Sequence, residues 1–401
     1  MLPKGWKRLS LATVAEVRTG VAKGKQNLKN PVELPYLRVA NVQDGYIDTS
    51  TIKTIQIERD QIERYSLKAG DVLMTEGGDF DKLGRGDVWN GEINPCLHQN
   101  HVFAVRTDLS ILTPHFLAAL SASRYGKAYF LGCAKRSTNL ASINSTQLKE
   151  FPVLLPPVVE QQKITKILST WDQAISTTEK LLANSQQQKN ALIQQLLSGK
   201  KRIPGFNDPW AKYKFSDLLY EIKNDVVNNP KDYELLSVKL HCKGVVRTGK
   251  YPAVTEGSRP YFIRHEGELI IGRQNLHNGG IGIVPKEVGG CIASNAISSF
   301  DVHENVSKSF MLHIMSRPLF FTQIDNLIGG TGQKEISVNE LLKLKINIPS
   351  FEEQQRIARI LTTSDHEIAT LQQKLTCLKQ EKKALMQQLL TGKRRVKVDA
   401  S

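Results

Sequence analysis

The chain has 401 residues, 40% hydrophobic and 23% charged, with a formal net charge of +15. That length implies two or more domains with cores of their own, and that charge points to an anionic partner, most commonly nucleic acid. No run approaches the ~20 apolar residues of a membrane span, and the five cysteines (Cys96, Cys133, Cys242, Cys291, Cys377) include no CxxC pair, which argues against a disulfide frame or zinc site and for reduced thiols in the cytoplasm.

Residues 1–155 read as a first α+β domain. Residues 1–6 lack the apolar core of a signal peptide. The phrase Trp6-Lys7-Arg8-Leu9-Ser10-Leu11 opens the domain, and Gly70-Asp71-Val72-Leu73-Met74 reads as a turn entering a buried strand. Helix is expected within 113–131, and a short apolar run at 151–155 closes the domain. Residues 156–202 then form a long helix. Pro156-Pro157 stop the preceding segment, no Pro or Gly interrupts 160–198, and Gly199 fits a left-handed cap. Ile164, Leu168, Trp171, Ile175, Leu182, Leu192 and Leu196 follow the steps of three and four of a coiled-coil seam. Residues 203–348 read as a second domain, with Trp210-Ala211-Lys212-Tyr213-Lys214-Phe215 at its start, a second Gly267-Glu268-Leu269-Ile270-Ile271 turn and strand, and helix near 317–328. Residues 349–401 give a second long helix and a basic tail. Ser350 with Glu353 fits a capping box, and Gly392 fits the terminal cap.

The two long helices are one sequence written twice. At a constant offset of 193, residues 160–202 match 353–395 at 22 of 43 positions, where ordinary composition gives roughly one match in sixteen. The domains match in form more than in letters. The expected architecture is therefore pseudo-two-fold: two domains of small mixed sheets and helices, separated by two rods near 58 Å long that pair as an antiparallel coiled coil. Two similar scaffolds carrying two dissimilar surfaces would read two different things.

The order domain, rod, domain, rod resembles the specificity subunits of type I restriction–modification systems. The likeness is carried by Pro-x-x-x-Glu-Gln-Gln-x-Ile at 156–164 and 349–357, and by Leu-Leu-[Ser/Thr]-Gly-Lys ending at Lys200 and Lys393. The resemblance implies a non-catalytic subunit whose domains each recognise one part of a split, asymmetric DNA site. The rods would set the unread gap and dock two methyltransferase subunits, through which a nuclease–translocase subunit joins. S-adenosylmethionine, ATP and magnesium would belong to those partners. A circular layout begun within one arm is also implied, and it fits the short stretch before Trp6 and the tail after Gly392.

Base reading calls for Arg or Lys at guanine and Asn or Gln at adenine, and phosphates call for Lys and Arg. In the second domain the Gly-rich 272–280 stretch carries Arg273, Gln274, Asn275, His277 and Asn278, which suits base contact or a plain polar turn. Arg247, Lys250 and Tyr251 form a second candidate loop. The first domain offers Lys23 and Lys25, then Lys82 and Arg85, then Lys135 and Arg136 beside Ser137-Thr138-Asn139. Gln161, Gln162, Gln354 and Gln355, at the rod entrances, are expected to seat the methyltransferase subunits.

His98-Gln99-Asn100-His101 has no supporting carboxylate or thiol and reads as a polar patch, not a metal site. Asp79 and Asp81 are the nearest approach to a nuclease pair. There is no Walker A loop, GxGxxG, GxSxG or Asn-Pro-Pro-aromatic phrase. The competing reading is a coiled-coil scaffold without DNA specificity.

Overall fold

The computed structural model describes residues 2–23, 28–80, 82–136, 140–253, 259–328 and 335–397. Lys25, Asp81, Ser137, Thr138 and Asn139 lie outside the described residues. Tertiary contacts divide the chain into two units, Met1–Glu179 with Gln373–Ser401, and Lys180–Gln372. The division runs through both rods. Each unit therefore holds one domain, the start of one rod and the end of the other.

The two domains share a topology that their letters barely show. In the first unit a four-stranded antiparallel sheet has the order Ala15–Thr19, Val102–Thr107, Val72–Thr75, Gly86–Val88. In the second the order is Leu219–Glu221, Ile297–Val302, Leu269–Gly272, Ile281–Ile283, again antiparallel throughout. The strands after Gly70 and Gly267 are the buried ones: Val72, Leu73 and Met74, like Leu269, Ile270 and Ile271, are wholly inaccessible. Each domain closes by pairing its first strand with its last, Lys7–Ser10 with Pro152–Leu155 and Ala211–Lys214 with Lys345–Ile348. Helix pairs follow the sheet strands at Pro114–Ala122 and Arg124–Cys133, and at Lys308–Met315 and Pro318–Leu327. The domains differ in the smaller sheets. The first has Pro31–Leu37, Lys53–Glu58 and Leu97–His98; the second has two antiparallel pairs, Leu236–Val238 with Val245–Arg247 and Tyr261–Ile263 with Ile292–Ser294.

The rods are Val158–Leu196 and Phe351–Leu389, each 39 residues. Both end alike. Gly199 (φ 69°) and Gly392 (φ 71°) adopt the left-handed conformation that a Cβ disfavours, and the N–H of Lys201 and Arg394 donate back to Gln195 O and Gln388 O, each at 3.1 Å. At the second entrance the capping box is half formed. Ser350 Oγ accepts from the Glu353 N–H at 3.5 Å, but the Glu353 carboxylate turns to Arg202.

Pairing between rods is antiparallel within each unit. In the first unit Glu160 meets Arg395, Asp172 meets Lys382 and Glu179 meets Lys379, so numbers rise on one rod as they fall on the other. In the second, Ser185 meets Glu367, Lys189 meets Asp365 and Arg202 meets Glu353. Two of these pairs are bidentate and bury their carboxylates: Arg395 on Glu160 (3.1 and 2.7 Å) and Arg202 on Glu353 (2.8 and 2.7 Å). The planar guanidinium matches a carboxylate edge to edge, which holds the end of one rod against the entrance of the other. Ile164 and Leu168 join the first domain's core with Phe116, Leu389 and Leu390; Ile357 and Leu361 join the second with Phe310, Leu196 and Leu197. Among the described residues no helix is long and apolar enough to cross a membrane.

Candidate nucleic-acid interface and partner grooves

In the second domain the 272–280 loop leaves the buried strand Leu269–Gly272. It is pinned from below by Leu276, a fully buried core residue. That anchor turns Asn275 and Asn278 to solvent, while Gln274 and His277 are half-buried. Arg273 is braced by Glu335 at 2.9 Å. A neighbouring loop is tied on: the N–H groups of His241 and Cys242 donate to Asn278 O (2.8 Å) and Gly279 O (2.9 Å). Both donors have left-handed backbones (φ 59° and 55°), a conformation that costs a β-carbon residue about 1 kcal/mol or more and persists where surroundings impose it. Exposed His241 and Lys243 thus join exposed Asn275 and Asn278 on one surface. Sequence reading missed His241 and Lys243: Gly244 marks their turn, but only the fold ties that turn to the 272–280 loop.

The 247–251 candidate resolves into two parts. Arg247 is occupied, with Nε on Glu234 at 2.8 Å and a second nitrogen on Glu287 O at 3.2 Å, so it clasps its own domain. Lys250 and Tyr251 are exposed, Tyr251 to 61%. In the first domain the Lys82 loop and the Lys135 turn come together through a three-stranded ribbon, Lys135–Arg136 on Ala141–Ser142 on Gly77–Gly78. Lys135 is exposed, Arg85 half-buried, and Lys82 pairs with Asp79, whose carboxyl is held below its usual range by that partner. Lys23 belongs elsewhere, 6.0 Å from the Tyr36 ring.

His98 and His101 do not converge. His98 is buried with Nδ1 on Val102 O at 2.7 Å, while exposed His101 pairs with Glu76. Among the described residues no His, Cys, Asp and Glu group could hold a metal ion.

The four entrance glutamines divide in two, which corrects the expectation that all four face a partner. Gln161 and Gln354 are buried and spent internally. Gln161 Nε2 donates to Ile111 O (2.7 Å) and Pro156 O (2.9 Å), and its Oε1 accepts from the Thr113 N–H (2.8 Å). Gln354 repeats this with Pro349 O (3.0 Å) and the Ser307 N–H (2.9 Å). Gln162 and Gln355 are exposed, and each lines a groove. The first groove, about 810 Å³, runs between the central rod (Gln162, Lys166, Ser169), His115 and Asp87; burial pushes the Asp87 carboxyl up. The second, about 1060 Å³, lies beside Gln355, Arg359 and Thr362, with Ser307 and Ser309 opposite. Gln162, Lys166 and Ser169 match Gln355, Arg359 and Thr362 at the offset of 193, so the two grooves are one feature repeated.

Two copies of one domain-plus-rod fold, with unlike loops and like grooves, define a duplicated binding module. The family model for the type I restriction modification DNA specificity domain matches residues 3–184 and 208–380, and the chain belongs to that family. It is 26% identical to the putative type I restriction enzyme MjaX specificity subunit of Methanocaldococcus jannaschii, over 99% of this chain and 95% of that one. It is also 26% identical to the EcoKI specificity subunit of Escherichia coli, over 48% of this chain and 42% of that one. The fold matches the S subunit of a type I system from M. genitalium (TM-score 0.61, 13% identity, 96% of each chain) and the HsdS subunit from Thermoanaerobacter tengcongensis (TM-score 0.54, 15% identity, 98% of each).

Proposed function

We propose that this chain is the DNA-reading subunit of a type I restriction–modification complex, non-catalytic itself, in which each domain reads one part of a split site. The observation that carries this reading is the conjunction of like scaffolds with unlike loops: the rod repeat is kept at 22 of 43 positions, while the loops bearing amides and cations differ between domains. The repeated grooves at Gln162 and Gln355 are the proposed seats of two methyltransferase subunits, and the rods set the unread gap. The scaffold alternative leaves the divergent loops and the charge of +15 without a role.

Methylation mapping of DNA from cells carrying the complete system tests the reading. Adenines marked in a split motif with a constant gap are expected; marks unaffected by deleting this chain would refute it. Arg273 gives a sharper prediction. Arg273→Ala should cost about 1–3 kcal/mol of discrimination at one position, in one half of the motif only. A uniform loss over all sequences, read by competition binding against single-base variants, would make Arg273 a phosphate contact instead.

A further inference from the structure

The ribbon that closes the second domain places like charges opposite one another. In the register of Ala211–Lys214 with Lys345–Ile348, Lys214 faces Lys345 and Lys212 faces Asn347. Cross-strand partners share a face, so Lys212, Lys214, Lys345 and Asn347 point the same way, and all four are exposed. Ile346 and Ile348 point inward, 7% and 3% exposed. Exposed Lys343, which ends the helix Val338–Lys343, adds a fourth ammonium at the margin. Among the described residues none of these four lysines ion-pairs with a carboxylate. The Asp217 carboxylate accepts the backbone N–H of Lys214 at 2.9 Å. The matching ribbon of the first domain is different: Ser10 faces Pro152 where Lys214 faces Lys345, and Arg8 faces buried Leu154 where Lys212 faces Asn347.

Lysines directly opposite on a ladder repel and weaken the pairing in the free protein. Such an arrangement suits a surface that is covered by negative charge in use. Ammonium groups on flexible stems are point charges. They fit phosphates, which need no fixed fork, better than base edges, which do. We propose that this ribbon face is a phosphodiester-backbone contact of the second domain, an anchor that holds DNA without reading it and that the first domain lacks. The proposal rests on the DNA-reading function above.

The competing explanation is edge protection, since lysines also keep exposed strands from pairing with other chains. Charge reversal separates the two, because glutamate guards an edge as well as lysine but repels phosphate. The full chain, assembled with its methyltransferase subunits, is titrated with a labelled random-sequence duplex over a range of salt. Lys214→Gln should make the log–log salt slope shallower by about 1, and Lys214→Gln with Lys345→Gln by about 2, with the methylated motif unchanged. Lys214→Glu should raise the melting temperature, because it now faces Lys345 with opposite charge, while lowering DNA affinity. If Lys214→Glu binds with the wild-type affinity and slope, the ribbon is an edge guard and the proposal falls. A change in the recognised letters would overturn the phosphate assignment. A wild-type complex without steep salt dependence would refute the DNA-reading function itself, and the anchor with it.

Discussion

Gln161→Glu should destabilise the chain severely, whereas Gln162→Glu, one residue on, should leave its stability within about 0.5 kcal/mol of wild type. The buried Gln161 amide satisfies three backbone groups at once, the carbonyls of Ile111 and Pro156 and the N–H of Thr113. It therefore ties the start of the central rod to the segment entering Pro114–Ala122. Truncation to alanine strands those groups, and buried unsatisfied groups cost about 1–3 kcal/mol each, so a loss of about 3 kcal/mol is expected after partial relaxation. Glutamate is worse. One oxygen keeps the Thr113 N–H, but the other meets two carbonyl oxygens with no hydrogen to offer unless the carboxyl is protonated. Its folded pKa must then lie above the unfolded value of about 4.3, so the variant loses stability as pH rises from there toward neutrality. Urea melts at pH 5 and pH 8 check both size and sign. Gln354→Ala should cost less, because Gln354 makes two such bonds. Gln162→Glu and Gln355→Glu should instead weaken co-purification with methyltransferase subunits. Equal melting curves for all four single variants would remove the distinction between clamp and seat.

That distinction marks where sequence reading stops. The rods were legible because a repeat at constant offset and an unbroken run without Pro or Gly are local facts, and the terminal glycines announce their own conformation. The role of Glu160 was legible only in part. A first-turn carboxylate suits the helix dipole, but its partner Arg395 lies 235 positions away. The repeat did hold a clue, since Arg202 and Arg395 sit at matching places three residues past each cap. Gln161 and Gln162 are identical letters, and which one faces inward depends on helix phase against a domain not yet placed. The loop candidates show the same limit. Arg247 looked free until the fold brought Glu234 against it, and Arg273 until it brought Glu335. The lysine ribbon was invisible for a related reason: Lys214 and Lys345 become neighbours only through strand register.

The second large effect is acid sensitivity, and His98 is its source. The ring is 2% exposed on the strand Leu97–His98, with Nδ1 at 2.7 Å from Val102 O, so Nδ1–H donates to that carbonyl. Burial pushes its pKa down to about 4; the Val102 carbonyl and Asp71 work against the shift, and Arg18 and Arg106 work with it. In the unfolded chain the value returns to about 6.5. Above pH 6.5 both states are neutral and the group contributes no pH dependence. Between about 6.5 and 4 the unfolded chain takes up a proton that the folded chain refuses, so stability falls with pH; below 4 the loss levels off near 3 kcal/mol. Burial lowers the pKa of His313 in the second domain too, adding a slope of the same sign. Most of the window lies above the range where carboxylates titrate, so about 2 kcal/mol should already be lost from His98 between pH 7.5 and pH 5. Denaturant midpoints across that interval measure it. His98→Gln should flatten the slope even if it lowers stability at pH 7.5. An unchanged slope in the His98 variant would mean that the acid response arises elsewhere in the fold.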